Sequence, residues 1–116
     1  MYGISNCDTV KKARKWFDAN GIEYTFCDFR KNPVDADIVR SWIQSVGRQV
    51  LINKRGTTYR QLDQAQKTAL DASDDEALII LLQNPTLMKR PIIVSQLGVG
   101  VGFKDNQYAD LIRRAS

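Results

Sequence analysis

The hydrophobic residues of this chain change their spacing several times, and each change predicts a new element. A short apolar stretch over residues 1–4 is typical of a first strand. Apolar residues recur at helical spacing over residues 8–20, which predicts a helix with one buried face, and Gly21 is typical of a helix end. Over residues 22–29 apolar and polar residues alternate, as they do in a strand. The start of the chain therefore predicts a βαβ unit with parallel strands.

The middle of the chain has mainly helical patterns. A helix capped by Asp35 is predicted to run to about residue 46, and further helices cover about residues 62–70 and 74–83. The segment 50–60 between them lacks periodicity and is basic and hydroxyl-rich, which favours a functional loop. We expect a helical insert over about residues 35–84. Residues expected on the buried faces of the first and last of these helices are Ile38, Val39, Trp42, Ile43, Val46, Ala77, Leu78, Leu81 and Leu82.

The last part of the chain returns to strand patterns. Residues 92–94 form a continuous apolar run suited to a buried strand, and a turn containing Gly98 leads to a second strand over residues 99–103. Asp105 is a suitable cap for a final helix to about residue 113. The order of elements predicts a single α/β domain over residues 1–116, with a mixed four-stranded sheet and a helical insert.

Composition narrows the chemistry that this chain can perform. Two cysteines are too few for a disulfide framework, and the absence of histidine excludes a Cys-His dyad, a Ser-His-Asp triad and the usual Cys/His zinc site. We therefore expect no metal, and without a phosphate-cradling glycine loop we expect no bound cofactor. The net charge of +4 comes from scattered Lys and Arg residues, so no direct nucleic-acid binding is expected.

The sequence lacks two features, a membrane span and a secretion signal, that bear on where the protein is located in the cell. No apolar run approaches the roughly 20 residues that span a bilayer. The start also lacks the basic and apolar regions of a secretion signal. We therefore expect a cytoplasmic protein that does not bind membranes.

Cys7 is the residue whose position suggests chemistry. It lies at a predicted strand-to-helix junction, where free backbone N–H groups and the positive end of the helix dipole favour the thiolate. Lys11 and Lys12, in the first turns of the same helix, act in the same direction. Cys7 is therefore either a reactive thiol or a small residue in a tight turn. Cys27, on the second predicted strand, is either a half-exposed strand residue or a resolving cysteine.

Four segments along the chain resemble the arsenate reductase (ArsC) family, and within it the Spx/YffB-like branch. They are Tyr2-Gly3-Ile4-Ser5-Asn6-Cys7-Asp8-Thr9-Val10-Lys11-Lys12-Ala13, Asn53-Lys54-Arg55-Gly56-Thr57-Thr58, Lys89-Arg90-Pro91-Ile92 and Val101-Gly102-Phe103-Lys104. The resemblance implies a thioredoxin-like fold with a helical insert. It also implies that Cys7 is the nucleophile, that Arg90 binds substrate, and that Pro91 is the cis proline of thioredoxin-like folds.

The resemblance further identifies where this chain departs from its family. Of the three arginines that surround the cysteine in arsenate reductases, only Arg90 is clearly retained. The others fall at Asn53, two residues before Arg55, and at Phe103, beside Lys104. Val10 stands where thioredoxins and many Spx regulators have a second cysteine.

These residues imply a thiol-dependent oxidoreductase that uses an external resolving thiol, with glutathione as the expected co-substrate. Arsenate, another oxyanion or a disulfide is the expected substrate, and the expected binding residues are Arg90, Lys11, Thr9 and Arg55. Two alternatives remain open. One is an Spx-like regulator that binds RNA polymerase without catalysis, and the other is a pseudo-enzyme with the same fold.

Overall fold

The computed structural model describes residues 1–95 and 98–102. The chain forms two compact units, one of Met1–Asn32 with the described residues from Arg90 onward, and the other of Pro33–Lys89. The sequence predicted a helical insert over about residues 35–84. The predicted final helix from Asp105, together with Phe103 and Lys104, lies outside the described residues.

The first unit contains a mixed four-stranded sheet, as the sequence predicted. Its strands are β1 (Tyr2–Gly3), β2 (Cys27–Asp28), β3 (Ile92–Ser95) and β4 (Gly98–Val101), in the order β2-β1-β3-β4. β1 pairs with β2 in parallel, and it pairs with β3 in the antiparallel direction. β3 and β4 are antiparallel neighbours.

The second predicted strand is shorter in the structure than the alternation over residues 22–29 indicated. Only Cys27–Asp28 pairs with β1, because β1 itself contributes only two residues to the ladder. Every second side chain of this segment nevertheless faces the core, since Ile22, Tyr24 and Phe26 pack against it as one face of a strand would. Periodicity thus identified the buried face but overestimated the backbone pairing.

Helix α1 (Asp8–Ala19) supplies most of the core of the first unit. Its buried residues are Val10, Ala13 and Phe17, which pack with Met1 and Ile93. The helix approaches β1 very closely. A Cβ atom at Gly3 would lie only 2.8 Å from Cγ2 of Val10, so glycine is required there. The helix is followed by Gly21 at φ +66°, a left-handed conformation that glycine adopts without strain.

The second unit is helical. Its elements are α2 (Ala36–Val46), α3 (Arg48–Leu51), α4 (Thr57–Gln61), α5 (Gln64–Ala72), α6 (Asp74–Gln83) and a 3₁₀ turn at Pro85–Leu87. Residues 98% or more buried at its centre include Trp42, Leu51, Leu70, Leu81 and Leu87. An Asp63 capping box begins α5, because the Asp63 carboxylate accepts from the Gln66 backbone and the Gln66 side chain accepts from the Asp63 backbone.

Three predictions for this unit were wrong in detail. The segment 50–60 is not a loop throughout, since it includes the end of α3 and most of α4, two short helices that carry no long apolar period. Ile38 and Leu82, expected to be buried, are 36% and 38% exposed. Asp35 occupies the N-cap position of α2, but its side chain makes no cap hydrogen bond.

Candidate active site

Cys7 occupies the N-cap position of α1, with extended backbone angles of φ −94° and ψ 127°. β1 ends at Gly3, and a turn closed by the Cys7 N–H and the Ile4 carbonyl, 3.3 Å apart, leads into the helix. The Cys7 carbonyl then accepts the first helical hydrogen bond from Lys11 at 2.9 Å. The strand-to-helix position predicted for this partly exposed thiol is therefore correct.

The residues that precede β3 bring Arg90 close to Cys7. β3 runs antiparallel to β1 with Tyr2 opposite Ile92, so the residues just before Ile92 continue alongside the chain that leaves β1. The Arg90–Pro91 peptide bond is cis, in agreement with the expectation for Pro91. Arg90 interacts with the Cys7 side chain, and both residues belong to the first unit.

The surroundings of Cys7 lower its pKa below the ordinary value of a cysteine. Partial burial by itself raises the pKa, but the backbone N–H groups of Val10 and Thr9 and the Arg90 side chain outweigh it by stabilising the thiolate. Although the Cys7 side chain makes no cap hydrogen bond of standard geometry, these groups lie close enough to it to stabilise its charge. The site therefore favours a nucleophilic thiolate.

Thr9 and Lys11 are close to Cys7 in the chain but contribute through their backbone. Their side chains are exposed, the Thr9 N–H faces the sulfur, and the Lys11 N–H donates to the Cys7 carbonyl. Binding roles for the two side chains stay predictions.

Arg55 belongs to the second unit and is exposed there. Its backbone N–H donates to Oδ1 of Asn53 at 3.1 Å, and its carbonyl accepts from Nη2 of Arg60 at 3.3 Å. Asn53 in turn donates from its backbone to the Leu87 carbonyl at 2.8 Å. The Arg55 guanidinium takes no part in these bonds, so a substrate-binding role for it stays a prediction.

The second thiol, Cys27, lies on β2 and is partly exposed. Its backbone N–H donates to the Met1 carbonyl at 2.8 Å, which places it beside the start of β1. Burial lowers the pKa of the Met1 amine, while the nearby Cys27 side chain raises it. A resolving role for Cys27 stays a prediction.

Asp28 is a residue near this site that sequence reasoning missed. Its Oδ2 accepts from the backbone N–H of Ser5 at 3.1 Å, and Ser5 lies in the turn that ends at Cys7. The available signal was an acidic residue at the end of a strand predicted to lie parallel to the strand that leads into Cys7. Such strands place their carboxyl ends at the same edge of a sheet.

The described residues contain neither a membrane-spanning helix nor a metal-binding cluster. Across residues 1–95 and 98–102, no helix is both long and apolar enough to cross a membrane. In the same part of the chain, no three Cys, Asp or Glu side chains gather in a way that would hold a metal ion.

The fold and the site together define a class, a thioredoxin-like α/β protein with one cysteine at the start of its first helix. Residues 2–111 match the model of the ArsC family, and the chain belongs to that family. It is 44% identical to an uncharacterized protein of Haemophilus influenzae over 93% of both chains.

The solved structure of a YffB protein superposes on this chain with a TM-score of 0.87, at 39% identity over 94% of each chain. Regulators are also among the relatives. The global transcriptional regulator Spx of Listeria innocua is 26% identical over 98% of this chain and 86% of its own length. The relatives of this chain thus include named regulators as well as proteins of unstated function.

Proposed function

We propose that this protein is a glutathione-coupled thiol oxidoreductase in which Cys7 is the single nucleophile. The observation that carries the proposal is the arrangement of Arg90 and the N–H groups of Val10 and Thr9 around Cys7, which lowers the pKa of the thiol. A thiolate at a helix N-terminus beside a cation is the usual environment of a reactive cysteine.

The preferred substrate is a mixed disulfide between glutathione and another thiol. The Cys7 thiolate attacks the glutathione sulfur, a new Cys7–glutathione disulfide forms, and the other thiol leaves as a thiolate that takes up a proton. A second glutathione thiolate then attacks the Cys7 disulfide. Oxidised glutathione leaves and Cys7 returns to its thiolate. The net reaction is a thiol–disulfide exchange, in which the mixed disulfide and one glutathione give the free thiol and oxidised glutathione.

An external resolving thiol is part of this proposal because Val10 occupies the place of a second cysteine in two-thiol proteins. Val10 is fully buried, and its backbone N–H, rather than a second sulfur, faces Cys7. In the proposed reaction Arg90 also binds a carboxylate of glutathione, since a guanidinium matches a carboxylate with two parallel hydrogen bonds. Lys11, Thr9 and Arg55 are the further binding residues proposed.

Arsenate is the second substrate to be tested. Attack of the thiolate on the arsenic would displace hydroxide. Attack of one glutathione thiolate on the Cys7 sulfur would then release arsenite and leave a Cys7–glutathione disulfide, and a second glutathione would release oxidised glutathione and regenerate Cys7. The tetrahedral anion needs several cationic donors, whereas Arg90 is the one arginine of the family's three that this sequence clearly retains. We therefore expect disulfide reduction to be the faster activity.

A regulatory function is the alternative that the Spx relatives favour. An Spx-like protein would bind RNA polymerase and would not turn over a substrate. The position of Val10 argues against a switch made by two neighbouring cysteines, because such a switch needs a second sulfur there.

The two functions are separated by activity with defined substrates. Wild type, Cys7→Ser and Cys27→Ser are incubated with glutathione and either a glutathionylated model peptide or arsenate, and oxidised glutathione is measured. We expect peptide reduction by wild type and Cys27→Ser, and none by Cys7→Ser. If the wild type is inactive on both substrates and binds purified RNA polymerase, the proposal of an enzyme is refuted and the regulatory function is supported.

A further inference from the structure

One carboxylate ties the turn that carries Cys7 to the neighbouring strand. β1 and β2 are parallel and in register, with Gly3 opposite Asp28, so the turn after β1 begins beside the end of β2. The Ser5 N–H donates to Oδ2 of Asp28 at 3.1 Å.

The other oxygen of Asp28 fixes the carboxylate in place. Oδ1 accepts from the Arg30 N–H at 3.0 Å, within the turn that follows β2. Desolvation raises the pKa of Asp28, but the bonds from Ser5, Arg30 and Lys31 outweigh it and hold the pKa below its ordinary value. Asp28 is therefore charged at neutral pH and bridges two turns.

The turn that presents Cys7 has little support of its own. Its closing bond, from the Cys7 N–H to the Ile4 carbonyl, is 3.3 Å long, beyond the usual range of N–H···O bonds. Ser5 and Asn6, the two central residues of the turn, are exposed. The bond from the Ser5 N–H to Asp28 therefore adds support to a turn whose own closing bond is long.

Building on the proposed role of Cys7, we propose that Asp28 is a positioning residue whose carboxylate holds the Ile4–Cys7 turn so that the sulfur stays beside Arg90 and the N–H groups of α1. Asp28 itself touches neither the sulfur nor a substrate in this proposal. Its effect on the reaction is transmitted through the backbone of Ser5 to Cys7.

The sign of the change in the Cys7 pKa distinguishes positioning from a simple charge effect. The charged and titratable groups nearest the turn on the elements that meet there are Tyr2 on β1, Asp8, Lys11 and Lys12 on α1, Cys27 and Asp28 on β2, the Met1 amine, and Arg90. Removing a nearby negative charge lowers the pKa of a thiol, because a carboxylate disfavours the thiolate. Loss of positioning raises it, because the sulfur moves away from the groups that stabilise its charge.

The experiment compares Asp28→Asn and Asp28→Ala in a Cys27→Ser chain, with the Cys7 pKa taken from the pH dependence of alkylation by iodoacetamide. Asparagine keeps one acceptor oxygen and alanine keeps none, so we expect the pKa to rise in both and more in Asp28→Ala. A rise of about half a unit lowers the thiolate population at neutral pH by up to about threefold. The matched control is Asp35→Asn. It removes the same charge, but the Asp35 side chain makes no cap hydrogen bond, so the Cys7 pKa should stay unchanged.

An unchanged or lowered Cys7 pKa in both Asp28 variants would overturn the proposal for Asp28. An ordinary pKa of Cys7 in the parent chain would instead count against the proposed function, so the two failures are distinct.

The parent chain provides a second test that requires no substitution at Asp28. The Ser5 amide proton should shift in acid as Asp28 titrates, and a Ser5 amide that does not respond would also overturn the proposal.

Discussion

Replacing Arg90 tests how much of the lowered Cys7 pKa comes from a charged side chain and how much from the helix. The informative variants are Arg90→Met, which keeps much of the length and removes the charge, and Arg90→Lys, which keeps the charge and loses the planar fork. The Val10 and Thr9 N–H groups remain in both variants. Any change in the pKa therefore reports the contribution of Arg90.

The size of the effect follows from the exposure of the site. A hydrogen bond to a charged group contributes about 1.5–3 kcal/mol. Because Cys7 is only partly buried, solvent screening reduces this to about 1 kcal/mol, or about 0.7 pKa unit. We expect the pKa to rise by that amount in Arg90→Met and by less in Arg90→Lys. The thiolate population at neutral pH then falls up to about fivefold.

Reactivity falls less than the thiolate population, since a more basic thiolate is a better nucleophile. With a Brønsted coefficient of about 0.45, the alkylation rate at neutral pH should fall only about two- to threefold. The whole pH profile in a Cys27→Ser chain is therefore the proper measurement. Arg40→Met is the matched control, because it removes an arginine whose partner is the exposed Asp75 in the second unit. Identical profiles for Arg90→Met and the parent chain would refute the assignment of Arg90.

Three further predictions concern stability and are measured by urea unfolding. Leu81→Ala should cost about 2–5 kcal/mol, and Leu82→Ala clearly less, because these neighbours on α6 are 0% and 38% exposed. Asp63→Ala should cost about 1 kcal/mol through loss of the α5 capping box, whereas Asp35→Ala should cost almost nothing. Equal losses within either pair would contradict the burial or capping described. Because the folded pKa of Asp28 is depressed, its contribution is complete above the ordinary carboxyl pKa and is lost as the pH falls through the folded value. The difference in unfolding free energy between wild type and Asp28→Asn should therefore shrink in acid, and a constant difference would contradict this linkage.

The sequence was sufficient for the elements whose pattern is long and local. The helix that begins at Asp8 and the helix over Asp74–Gln83 were predicted closely, because each has about three turns and clear end signals. The short helices Arg48–Leu51 and Thr57–Gln61 were missed, since one turn of helix gives no period to detect. The number of residues by which β2 pairs was overestimated. It depends on the length of β1, and the local sequence of residues 22–29 does not indicate that length.

The same distinction applies to the candidate site. Cys7 was found from its position at a predicted junction, a local feature. Arg90 required the family resemblance, because nothing near residue 90 indicates that it approaches residue 7. Asp28 was missed altogether, since its role depends on the in-register alignment of two parallel strands and on the direction of one backbone N–H group.

The close packing of Val10 on Gly3 has a consequence for how this chemistry can change by mutation. Val10 is fully buried, with a methyl group 2.8 Å from where a Cβ at Gly3 would stand. A cysteine at position 10 would supply a second sulfur but remove a methyl group from this contact, and such losses in a core typically cost about 0.5–1.5 kcal/mol. The proposed reliance on an outside thiol is therefore coupled to the packing of the core. A variant that gained its own resolving cysteine would first have to withstand the loss in folding stability.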